Sequence, residues 1–268
     1  MALPRPASLS PTKVTTFKDC ALAFRLSNID RIPEASTLAA VKGTIVHRAL
    51  QLLFAEEDPA DRTLGAALAR LERAVPEVLS DAENADLELD EGSLAALVAD
   101  AEVLVRHAFE LEDPRGVRVI GTELRLSVQL GSLRLTGIID RLDLDEDGGL
   151  VVTDYKTGRA PSTGYEQARL AGVHFYALLC EELLGVRPAR IQLLHLREPV
   201  VISTVPTDQS LEAWRRQTTA VWSAVERACD NEDFRPRPGR MCGYCSYHPY
   251  CPAVGGDLSL LPRVAVPA

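Results

Sequence analysis

LRLTGIIDRLDLDEDGGLVVTDYKTG, residues 133–158, is the stretch whose reading decides the fold. Two aliphatic and β-branched runs, Leu133 to Leu144 and Leu150 to Lys156, flank Glu146-Asp147-Gly148-Gly149, a pattern that predicts a hairpin. Upstream, Val117 to Leu130 has the same character and ends at Gly131-Ser132, so three consecutive antiparallel strands are expected. If Gly131-Ser132 is a two-residue turn, Leu130 faces Leu133, and Glu123 falls opposite Asp140. If residues 145–149 form the second loop, Leu144 faces Leu150, and Asp140 falls opposite Asp154. Lys156 lies two residues beyond Asp154 and projects from the same face. Opposed side chains have Cβ atoms about 4.5–5.5 Å apart, and like charges at that spacing destabilise a sheet. A row of three carboxylates therefore calls for a cation, and hard oxygen donors favour Mg²⁺ or Mn²⁺. The plainer alternative, most pertinent to Glu123, is a solvated acidic face whose row is scattered by one-residue bulges.

Helices are expected on both sides of this block. Ser10-Pro11 is a good helix start, with a serine cap and proline at the first helical position, and the helix is expected to reach about Ser27. A second helix is expected from about Thr37 to Glu56, carrying Gly43 and His47, and two or more helices over 63–112, broken near Asp86 to Asp90. After the three strands come a helix from about Tyr165 to Leu184, ending at Gly185, and a hairpin from Arg190–Leu196 and Val200–Val205. A last helix spans Ser210 to Asn231. The fold class is α/β or α+β, a mixed sheet flanked by helices with a helical insertion. Its expected parts, within one integrated domain, are 1–48 (N-terminal helices), 49–113 (acidic insertion), 114–231 (core) and 232–268 (cysteine-rich tail).

The net charge of −9 is segregated: residues 1–48 carry +4, residues 49–113 carry −13 and the remainder is neutral. Bulk acidity is thus a weak argument against a polyanionic partner. No apolar run reaches membrane-span or signal-peptide length, and a cytoplasmic setting is expected. Six cysteines in a reducing compartment suggest metal binding or buried thiols rather than disulfides. Cys242, Cys245 and Cys251 share one tight loop, and three thiolates need a fourth ligand, for which Cys20 is the best candidate. An iron–sulfur cluster and a structural Zn²⁺ are both open readings, and His248 in the loop suits the second. Cys180 and Cys229 sit in apolar helical patterns and are read as buried thiols.

Gly137-Ile138-Ile139-Asp140-Arg141 followed by Asp154-Tyr155-Lys156-Thr157-Gly158 resembles the RecB-family nuclease domain of the PD-(D/E)XK superfamily. Gly43-Thr44-Ile45-Val46-His47 is similar to that family's upstream glycine-and-histidine motif. The resemblance implies that His47, Asp140 and Asp154 bind a divalent metal, that the Tyr155 carbonyl adds a ligand, and that Lys156 orients water and steadies charge on the phosphate. It further implies a [4Fe–4S] cluster on Cys20, Cys242, Cys245 and Cys251, as in the iron–sulfur type of this family. One departure stands out: the family's usual glutamine four residues before Tyr176 is Gly172 here, with Gln167 further upstream.

Candidate DNA contacts are Arg141, Gln167 and Tyr176, with Arg235, Arg237 and Arg240 ahead of the cysteine loop. The implied function is a Mg²⁺- or Mn²⁺-dependent deoxyribonuclease of DNA repair or recombination, an exonuclease preferring single strands or DNA ends. A non-catalytic DNA-end-binding subunit of a helicase–nuclease complex is the rival class. Retention of Asp140, Asp154 and Lys156 speaks against it. No Walker-type phosphate loop is present, so a helicase motor would be a separate chain.

Overall fold

Ser10 and Pro11 open the first helix as the sequence predicts: Ser10 Oγ accepts from the Lys13 amide at 3.3 Å, and α1 spans Pro11–Asp19. The computed structural model describes residues 2–161 and 166–261, without the side chains of 166–171 and 241. The single helix expected to reach Ser27 is broken at Cys20, which is extended (φ −158°, ψ 110°), and α2 (Ala21–Asn28) starts afresh. Neither proline nor glycine stands at the break. The Arg237 amide lies 3.5 Å from the Cys20 sulfur, a long-range contact that competes with local helix propensity.

The other helices follow their caps. Thr37 Oγ1 accepts from Ala40 N–H and starts α3 (Leu38–Phe54), Thr63 caps α4 (Leu64–Leu79), and Asp90 caps α5 (Glu91–Leu111). Side-chain caps of this kind each contribute about 1 kcal/mol. The expected break between the last two falls at 80–90. α6 spans Glu166–Leu184 and stops at Gly185, whose φ of 68° only glycine adopts readily. α7 spans Asp208–Asn231.

β1 (Arg118–Leu130), β2 (Leu133–Leu144), β3 (Leu150–Lys156), β4 (Arg190–His195) and β5 (Val200–Thr204) form one mixed sheet in the order β1-β2-β3-β4-β5. The β2–β3 register pairs Leu144 with Leu150 and Arg141 with Thr153, the offset expected from the loop length. β4 joins β3 in parallel, Asp154 beside Leu193, after the α6 crossover, and β5 returns antiparallel.

The chain divides into two compact units. One comprises Met1–Ala35, Val128–Thr136 and Ala213–Ala268. In it Leu9 bridges in parallel to Leu135, and Leu22 and Leu26 of α2 share a core with Tyr247 of the tail. The other comprises Ser36–Ser127 and Gly137–Glu212. There α3, α4 and α5 bury Ile45, Leu50, Leu71 and Leu104 with Tyr155 and Leu194 of the sheet. Fully buried aliphatic side chains contribute roughly 1.5–3 kcal/mol each. The acidic helices are therefore held by their apolar stripe, while most of their carboxylates are exposed. Among the described residues no helix is long and apolar enough to cross a membrane.

Candidate metal centre

Asp140 on β2, Glu123 on β1 and His47 on α3 converge, with one donor atom of each lying within 4.8 Å of the others. Three structural features bring them together. The first is the β-sheet offset, which puts Asp140 next to β3, where its Oδ2 accepts from the Tyr155 amide at 2.8 Å. The second is a kink at Glu123, a non-glycine residue with φ 50°. Two residues earlier, Gly121 lies close under the Leu124 side chain, whose Cδ2 would be 2.9 Å from a Cβ there. Such a departure from extended backbone re-aims the side chain at Glu123, and here it is an acid. The third is Gly43, where a Cβ would sit 3.0 Å from Thr157 Oγ1. Its bare surface lets α3 lie against the end of β3, and His47, one turn further along, then reaches Asp140 (Nδ1 to Oδ2, 3.5 Å).

Asp154 stands beside this trio rather than inside it. Its carboxylate is buried and ion-paired with Lys156 Nζ, without the alignment of a hydrogen bond. The lysine is the more exposed partner, 40 % against 7 %. Burial, then the neighbouring Asp154 charge, push the Asp140 carboxyl up to about 8, while the Tyr155 amide and Lys156 pull the other way. Burial also lowers His47 below its ordinary value, against the pull of Asp154 and Glu123. The 3.5 Å approach of His47 to Asp140 is therefore a polar contact of a neutral imidazole, the form that ligates metals. The His47 and Tyr155 rings meet edge-on at 5.9 Å. Two carboxylates and an imidazole at ligating distance, with excess negative charge, fit a hard divalent cation.

Of the candidate DNA contacts, Arg141 requires correction. It is 1 % exposed, bonded to Glu112, Asp143 and the Tyr155 hydroxyl, and cannot meet a nucleic acid. Alternation along β2 explains this: Asp140 faces the site, so its neighbour points away. Tyr176 does border the site. Its ring packs where a Gly137 Cβ would be (3.1 Å), and burial, then Asp154, Asp140 and Glu123, keep its phenol protonated as a donor. The Gln167 side chain lies outside the described residues.

In the other unit, a cavity of about 460 Å³ is lined by Cys20, Cys242, Cys245 and Cys251 together. Backbone amides approach two of the sulfurs, Arg237 N–H to Cys20 (3.5 Å) and Gly239 N–H to Cys242 (3.3 Å), while burial raises the Cys245 thiol above its ordinary value. Arg235 is ion-paired with Asp233, Arg237 donates to the Lys18 carbonyl, and Arg240 is exposed. Tyr247 is buried against the cysteines whereas Tyr244 is exposed. Cys180 and Cys229 are fully buried, and burial pushes the Cys180 thiol up to about 12. The Glu112–Arg141–Asp143 group went unnoticed in the sequence. Strand alternation alone could have found it, by placing Arg141 and Asp143 on the face opposite Asp140.

The family model of the PD-(D/E)XK nuclease superfamily matches residues 8–252. A solved structure of a candidate exonuclease from Eubacterium rectale superposes with a TM-score of 0.53 at 13% identity, covering 90% of this chain and 87% of that one. A second, SSO0001, gives 0.37 at 14% identity over 90% and 95%. None of the curated proteins matches the chain significantly.

Proposed function

The chain belongs to the PD-(D/E)XK nuclease superfamily, and on that premise we propose that it is a Mg²⁺- or Mn²⁺-dependent deoxyribonuclease with His47, Glu123, Asp140 and Asp154 as its metal-binding set. The observation that carries this reading is the convergence of His47, Glu123 and Asp140 within 4.8 Å around a carboxyl raised to about 8. A bound divalent cation supplies Lewis acidity toward the phosphate and an acidified water at neutral pH. The chain's own groups do the rest. Asp140 is held by the Tyr155 amide, so its second oxygen is free to turn toward the ion. Lys156, the exposed partner of Asp154, would steady charge developing on the phosphate, and Asp154 would help to hold the ion. The Tyr155 carbonyl would add a ligand, and Tyr176, kept protonated by burial and the nearby acids, would offer a donor at the border of the site.

The finer reading is an exonuclease of DNA repair or recombination, acting on single-stranded ends delivered by a helicase on a separate chain. Arg235, Arg237 and Arg240 contact the phosphates. The tail carries a [4Fe–4S] cluster on Cys20, Cys242, Cys245 and Cys251. Its support is the shared cavity and the amide donors to sulfur, which tune and hold such clusters. The proposal as a whole is tested by digesting end-labelled single- and double-stranded DNA with Mg²⁺ or Mn²⁺. Cleavage should require metal and fall by at least about 10²-fold in Lys156→Ala. Equal cleavage by that variant overturns it.

A further inference from the structure

Arg141 sits directly behind the metal-binding residues, and its bonding is unusually complete for a buried guanidinium. Nη1 and Nη2 form a fork on Glu112 (2.5 and 2.8 Å), and Nε reaches both oxygens of Asp143 at 2.9 Å. Nη1 also donates to the Tyr155 hydroxyl at 2.5 Å. Its plane lies over the Phe54 ring of α3, 4.2 Å from the centroid, with the Tyr155 ring 5.6 Å away. The network continues through Thr153 Oγ1, which donates to Asp143, and Gln192, which donates to Thr153. It thus joins Glu112, the C-cap of α5, to β2, β3 and β4.

Stability alone is a poor account of such a cluster. Buried ion pairs of this kind are often matched or bettered by apolar side chains of similar volume, because desolvation offsets their attraction. What the cluster does uniquely is fix Tyr155 at its far end. At its near end Tyr155 touches two members of the metal site by two routes. Its amide holds Asp140, and its ring meets the His47 ring edge-on.

We propose that Arg141 is a positioning residue that clamps the Tyr155 hydroxyl and so holds His47 and Asp140 in ligand geometry. The inference rests on the metal site proposed above. Partners one step behind a metal ligand commonly control affinity by about 10–100-fold.

Mn²⁺ alone is titrated into the purified full chain, with free Mn²⁺ followed by electron paramagnetic resonance. Tyr155→Phe keeps the ring and the backbone but removes the clamped oxygen, and should weaken Mn²⁺ binding at least about tenfold. Arg141→Lys cannot form the fork and should be weakened at least as much. Leu104→Ala, in the helical core of the same unit, serves as a variant of lowered stability and should bind Mn²⁺ as the parent does. Unchanged affinity in Tyr155→Phe overturns the inference, as does an equal loss in Leu104→Ala. Parent protein that binds Mn²⁺ without cutting DNA overturns the nuclease reading and leaves the clamp standing. Parent protein that binds no Mn²⁺ overturns both.

Discussion

Glu123 occupies a backbone conformation that ordinarily costs a non-glycine residue about 1–3 kcal/mol, and its carboxylate is brought against Asp140, whose ionisation it opposes. Both penalties are removed in Glu123→Gly. That variant should unfold at the same temperature as the parent or higher when metal-free, yet bind Mn²⁺ at least about tenfold more weakly. Thermal denaturation and Mn²⁺ titration on the same samples check the pair of outcomes. A less stable variant with parental affinity would show that the kink serves packing alone. The combination of strain and like charge at one residue is the local mark of a site shaped for a ligand rather than for stability. Sequence reasoning found Glu123 by counting from a two-residue turn, although the kink that aims it was not visible in that count. A positive φ on glutamate has no compositional signature, whereas Gly131 and Gly148 announce theirs.

At the scale of elements, the strands and most helix starts were legible because each is marked locally. Glycine-bounded β-branched runs gave β1 to β3 within a residue, and Ser10, Thr37 and Asp90 cap their helices as side chains of that kind do. What was not legible depends on long-range contacts. The break at Cys20 reflects a sulfur drawn toward the Arg237 amide some two hundred residues away, against a sequence that favours continuous helix. Arg141 looked like a polar residue in a motif, but its partner Glu112 comes from the end of α5. In the sequence Gly43 marks only a motif with His47, whereas its physical purpose is the close approach of α3 to Thr157. Gly43→Val should therefore lower stability by about 1–3 kcal/mol, the usual cost of overpacking, despite the better helix propensity of valine. Adding Thr157→Ala should recover part of the loss, because it removes the atom the new side chain meets. A double-mutant cycle by chemical denaturation measures that coupling, and strict additivity would show that the two elements do not press on each other there.

Over the whole molecule, the acidic site makes stability depend on pH, and bound metal should suppress that dependence. An unfolded chain releases the Asp140 proton near 3.8, whereas the folded protein holds it until about 8. Between those values the folded state binds the extra proton, so stability is present below the lower value and lost as pH rises through the upper one. His47, held below its ordinary 6.5 by burial, adds a slope of opposite sign, since there the unfolded chain is the better proton acceptor. Asp140→Asn separates the two. Its metal-free melting temperature should fall less than the parent's between about pH 5.5 and about pH 8.5. A cation competes with that proton. Mn²⁺ at about a hundred times its dissociation constant adds about 2.7 kcal/mol, or roughly 5–10 °C for a chain of this size. That gain should be larger at the higher pH and absent in Asp140→Asn. Parallel melting curves for parent and variant at both pH values, with and without the ion, would remove Asp140 from the centre of the site.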